Sequence, residues 1–109
     1  MAVYFIQAGD VGPVKIGSSR APWSRLATFQ IANAAELKML GVMAALREDE
    51  KHILLRFARH WIRGEWFAPH PELLAFAAQH YMAPPPSHIA PHRRGIHQIT
   101  RQLVAARAA

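Results

Sequence analysis

The sequence predicts an α+β fold, a small three-stranded antiparallel sheet with helices packed on its faces. Three observations predict it. Near the start, "VYFIQAGDVGPVKIGSS" holds two short alternating apolar runs around a turn-rich loop. Further on, "REDEKHILLRFARHWI" carries an apolar stripe at helical spacing. Segments of the two kinds then follow one another as strand, strand, helix, strand, helix, short piece, helix.

Val3 and Phe5, then Val14 and Ile16, alternate with period two, which is the strand signal. "AGDVGP" between them is dense in turn formers, so the pair reads as a hairpin with a longer loop. Ser18 or Ser19 is placed to start a helix, with Pro22 in its first turn, where a missing N–H costs little. Trp23, Leu26, Ala27 and Gln30 keep helical spacing, and Asn33 ends it. "LKMLGVMA", Leu37 to Ala44, reads as a third strand interrupted by Gly41.

The second helix is expected over 47–62, with Ile53, Leu54, Phe57 and Trp61 inward and Gly64 as its stop. Its acidic start and basic end agree with the helix dipole. "EWF" reads as a short extended piece, and "HPELLAFAAQHY" as a third helix with Pro71 early. The chain divides into a domain over 1–82, a proline-rich linker over 83–92 and a basic amphipathic tail helix over 93–109. The tail reads equally as phosphate-contacting helix, truncated second module or an end without a role.

Composition narrows the function classes. A chain of 109 residues suits one domain. It has no cysteine, which removes disulfides and thiolate metal sites and fits a cytoplasmic location. No apolar run approaches the roughly 20 residues of a membrane span, so no membrane partner is expected. Thirteen Lys and Arg face seven Asp and Glu, a net +6, and ten of the thirteen are Arg. Such a balance is the electrostatic footprint of a nucleic-acid binder, and Arg suits forked contacts with phosphate.

The local chemistry is sparse. The seven histidines are scattered without metal-ligand spacing, and no phosphate-binding glycine loop or nucleophile elbow occurs. Glu48, Asp49 and Glu50 form one carboxylate cluster, readable as helix N-terminal charge or as a cation ligand. Period two places Tyr4 and Lys15 on one face of the paired strands, with the register left open. Arg20 and Arg25 lie five apart, so at most one of them is central to a site.

"VYFI", then "VKIG" with its following Ser, then Glu50 seven residues before Phe57, and finally "GEWF" occur in that order. Together they resemble the GIY-YIG nuclease superfamily, in the subgroup of meiotically up-regulated gene 113 and T5 phage nuclease-like domains. The likeness covers residues 2 to about 80. It implies a metal-dependent endonuclease that hydrolyses phosphodiester bonds in DNA, with RNA left open. Carried over by position, the catalytic residues are Tyr4, Lys15, Arg25 and Glu50, with Glu50 holding Mg2+ or Mn2+. Gly17, Ser18, Arg20, Arg93 and Arg94 are the implied nucleic-acid contacts. Arg25 stabilises developing charge, and Tyr4 orients or deprotonates water once Lys15 lowers its pKa. Gly17 admits a close approach of the nucleic acid. Two positions depart from the pattern: Phe29 and Leu54 stand where relatives carry His. "GEWF" reads as packing, with Glu65 pairing an Arg. A catalytically weak nucleic-acid-binding or regulatory module on the same fold is the alternative. A protein-interaction domain using "GEWF" and the linker is a third reading.

Overall fold

The computed structural model describes residues 1–84, together with Ala106. The linker beyond its first two residues and the tail helix, Ala106 apart, lie outside the described residues, as do Arg93 and Arg94. Strand β1 (Ala2–Ala8) and β2 (Val14–Ser19) form the expected hairpin. Helix α1 (Pro22–Ile31) follows, then β3 (Leu37–Ala44) and α2 (Arg47–Arg56). A single 3-10 turn (Ala58–His60) leads into β4 (Trp61–Arg63) and β5 (Trp66–Phe67), and α3 (Pro71–Ala78) ends the series.

The α+β expectation holds, but the sheet has five strands, all antiparallel, in the order β3-β1-β2-β5-β4. Of the extra two, β4 begins where the second helix was expected to continue, and β5 is the short piece "EWF" read as extended. That helix stops at Arg56, because Phe57 leaves helical geometry and Trp61 enters extended backbone. Gly64 therefore does not cap a helix. It takes φ +52° in the two-residue turn between Arg63 and Trp66, the conformation a tight hairpin requires. Trp61, expected inward, is 57% exposed and donates its indole N–H to the Gly64 carbonyl at 2.8 Å.

Period two in β1 sorts the core into two layers. Val3 and Phe5 face α2 and α3, joined by Val14, Ile16, Ile53, Phe57, Phe67 and Leu73. Phe76 meets Phe5 and Phe57 edge-on, at 5.8 and 5.4 Å between ring centres. Each fully buried side chain of this layer, such as Phe5 or Phe57, contributes about 1.5–3 kcal/mol of hydrophobic stabilisation. Tyr4 and Ile6 face the other way, with Leu37, against Leu26 and Phe29 of α1. No residue of α1 is itself fully buried, so this second layer is thin.

Gly41 explains how α3 sits so close to β3. A Cβ there would lie 2.3 Å from the Ala77 carbonyl oxygen and 2.7 Å from that of His80. The missing side chain lets the end of α3 rest on the strand, and Val42 donates its N–H to the His80 carbonyl at 2.6 Å. Opposite it, the β1–β3 register shifts between Phe5 and Ile6.

Candidate active site

The β1–β2 register decides the face question. Tyr4 lies opposite Gly17, and Ile6 opposite Lys15, so Tyr4 and Lys15 do share the face covered by α1. The Tyr4 ring lies across Gly17. A Cβ on Gly17 would stand 2.3 Å from the Tyr4 hydroxyl oxygen and 2.5 Å from its Cζ. The space that Gly17 leaves on this face is thus occupied by the protein's own tyrosine.

Arg25 and Phe29 lie one turn apart on α1, so they share a helix face. The Arg25 guanidinium is 4.8 Å from the Phe29 ring centre. Lys15 Nζ lies 4.7 Å from the same ring and 5.2 Å from that of Trp66. Phe29 also meets Tyr4 at 6.3 Å. Phe29 is therefore the aromatic platform on which both cations rest.

Glu65 completes this side. It occupies the β4–β5 turn, and its main-chain oxygen accepts the Ile16 N–H at 2.9 Å. Its carboxylate pairs with Lys15 at 3.4 Å rather than with an arginine. Burial, and next the Glu65 charge, raise the Tyr4 pKa above the ordinary phenol value of 10, while the adjacent Arg25 pulls the other way and does not win. This corrects the expectation that Lys15 makes Tyr4 a base: the lysine's charge is engaged by Glu65, and Tyr4 is only 1% exposed. At neutral pH it is an uncharged phenol.

Glu50 approaches from the opposite layer. Ser18 Oγ donates to Glu50 Oε2 at 2.5 Å, tying β2 to α2. The Glu50 charge also reaches Tyr4. Met1, Ser18, Ser19, Arg20 and Glu50 border an open depression of about 460 Å3. The acidic trio divides its work: Asp49 accepts the Leu46 N–H at 2.8 Å as a cap, and Glu50 faces the depression. Arg20 precedes α1 and lines the depression, while Arg25 sits over Phe29, so the two arginines face different surroundings.

Tyr4, Lys15, Gly17 and Arg25 thus gather on the α1 face of the sheet, and Ser18, Arg20 and Glu50 gather at the depression. Sequence reading missed Phe29, Glu65 and Trp66 as parts of the first group. Arg25 to Phe29 spacing was a usable signal, and so was a glycine-led turn between Arg63 and Trp66. Glu50 is the carboxylate that could hold a hard divalent cation here: it is half-buried, has one oxygen engaged by Ser18, and borders the depression. One or two carboxylates with waters and substrate phosphate is how Mg2+ is commonly held. No family model, curated protein or solved structure matches the chain.

Proposed function

We propose that the protein is a metal-dependent endonuclease of the GIY-YIG kind that hydrolyses phosphodiester bonds in DNA. The observation that supports the reading is that the charges of Arg25, from α1, and of Glu50, from α2, both act on the Tyr4 hydroxyl of β1.

Glu50 holds the cation, Mg2+ or Mn2+, with Ser18 fixing the carboxylate. When bound, the cation supplies charge neutralisation at a phosphate oxygen. Arg25 and Arg20 bind phosphate oxygens from the two sides, and Arg25 stabilises charge that develops as the bond breaks. Tyr4 orients the attacking water through its hydroxyl. With Tyr4 held neutral, the carboxylate of Glu65 is the acceptor for the water proton. Lys15 holds Glu65 in place and adds positive charge beside the phosphate.

A catalytically weak nucleic-acid-binding module is the second reading. The burial of Tyr4 and the Phe29 that stands in place of His favour it. Mg2+-dependent nicking of supercoiled plasmid by wild type and Glu50→Gln separates the two. The nuclease reading expects nicking by wild type, stopped by chelation and reduced at least a hundredfold by Glu50→Gln. Equal activity in both proteins, or nicking indifferent to metal, overturns it. Binding by wild type with no cleavage in Mg2+ or Mn2+ leaves the binding module.

A further inference from the structure

A second cluster of ligating side chains lies away from the candidate active site. His60 closes the 3-10 turn just before β4, His70 caps the N-terminus of α3, and Glu72 stands in that helix's first turn. One ligand atom from each lies within 4.8 Å of the other two. The main chain brings them together: Ala68 donates its N–H to the His60 carbonyl at 2.7 Å, and His70 donates to the Ala68 carbonyl at 2.8 Å. The two imidazoles stack at 4.1 Å, tilted by 13°.

His60 Nε2 is the observation that asks for a ligand. It is the one buried side-chain N or O among the described residues without a hydrogen-bond partner. It faces Glu72 Oε2 at 3.6 Å, too long for a hydrogen bond. A buried imidazole nitrogen left unmatched is costly unless something takes its lone pair or proton.

We propose that His60, His70 and Glu72 form a binding site for a borderline-soft divalent transition metal of the Zn2+ class. Imidazole nitrogen and carboxylate oxygen are Zn2+ ligands at about 2.0–2.2 Å, with water free to complete the tetrahedron. Two imidazoles select such a metal over Mg2+. Loading draws the three ligand atoms to about 3.3 Å from one another, the edge of that tetrahedron. His70 is exposed, so its ring is the one that turns. Its Nδ1 now accepts the Glu72 N–H at 3.1 Å, and metal binding at either ring nitrogen gives up this cap. The metal replaces it with a tie between the approach to β4 and the start of α3. That tie brackets the β4–β5 hairpin, which carries Glu65 and Trp66.

The experiment titrates metal-free full-length protein with ZnCl2 by calorimetry, in the presence of excess Mg2+. Binding of Co2+ is followed in parallel by its visible ligand-field absorption. Wild type is compared with His60→Gln, His70→Asn and Glu72→Gln. Asn keeps an oxygen for the helix cap while removing the imidazole, so it separates capping from ligation. The expected result is one Zn2+ per chain, weakened at least tenfold by each substitution, with a tetrahedral Co2+ spectrum only in wild type. His70 and Glu72 are exposed, so their variants remain folded even where His60→Gln does not. No Zn2+ binding by wild type overturns the proposal, as does binding that all three variants retain. The readout is metal binding alone, so neither outcome depends on nuclease activity.

Discussion

Gly17→Ala tests how closely the site is built. The added Cβ would meet the Tyr4 hydroxyl at 2.3 Å, Cζ at 2.5 Å and Cε1 at 3.0 Å. Ordinary contact is about 3.5–4.0 Å, so the tyrosine tip must retreat by more than about 1 Å. It has little room, since Tyr4 is buried against Phe29, Ile6 and Leu37. Overpacking of this kind costs about 1–3 kcal/mol. Replacing glycine stiffens the unfolded chain and returns about 0.4–1 kcal/mol. With an overpacking cost of about 2 kcal/mol the net loss is about 1–1.6 kcal/mol, which for a small domain lowers Tm by roughly 4–13 °C. Thermal unfolding followed by circular dichroism measures this. Tyr4→Leu in the same background removes the colliding atoms, so the double variant should be more stable than the two single losses predict, by about 1 kcal/mol. An unchanged Tm in Gly17→Ala, or strict additivity in the cycle, refutes the reasoning. Intact stability with lost DNA affinity would instead support Gly17 as a nucleic-acid contact.

Three further outcomes follow from the same structure. Gly41→Ala drives a Cβ against two main-chain oxygens of the α3 end, which yield less than a side chain, so it should cost about 2–3 kcal/mol in urea unfolding; a loss below that of Gly17→Ala contradicts the packing account. Tyr4, raised first by burial and then by Glu65, keeps its proton in the folded state above pH 10 while the unfolded chain releases it. The unfolded state then binds fewer protons, so stability present below about pH 10 is lost as pH rises towards the folded pKa. Urea midpoints of wild type should fall more steeply above about pH 10 than those of Tyr4→Phe, and parallel curves would show that Tyr4 titrates normally. Ser18→Ala frees the Glu50 carboxylate, and under the nuclease reading it should raise the Mg2+ needed for half-maximal nicking several-fold with the maximal rate nearly kept. An unchanged Mg2+ dependence removes Ser18 from the positioning role.

The strands and helices legible in the sequence were those with a clean local period. Val3 and Phe5 alternate with Tyr4 and Ile6 because successive side chains point to opposite faces, and the two core layers follow that alternation. Pro22 and Pro71 stand at helix starts for a local reason as well, since the missing N–H is not needed there. The second helix was read too long because Trp61 kept the helical spacing of Ile53 and Phe57. Its true partner is β5, and pairing between strands is a non-local event that periodicity does not carry. Among the described residues no helix is long and apolar enough to cross a membrane.

The site divides in the same way. Tyr4, Lys15, Arg25 and Glu50 were picked out by residue type and order along the chain, and pattern alone placed Tyr4 and Lys15 on one strand face. What each does to the others was settled by distance. Glu65, from the hairpin turn, engages the lysine that was expected to activate the tyrosine, and burial then keeps Tyr4 protonated. Phe29 gathers two cations because α1 lies over β2, and Ser18 reaches Glu50 because α2 lies beside its end. His60 and His70 gave no motif in the sequence and stand stacked in the fold. Local periodicity and charge determined the α+β class, the tyrosine–lysine face and the basic character, because each depends on neighbours a few residues away. Only the tertiary structure decided which charge answers which, because electrostatics and close packing act through space between segments far apart in the chain.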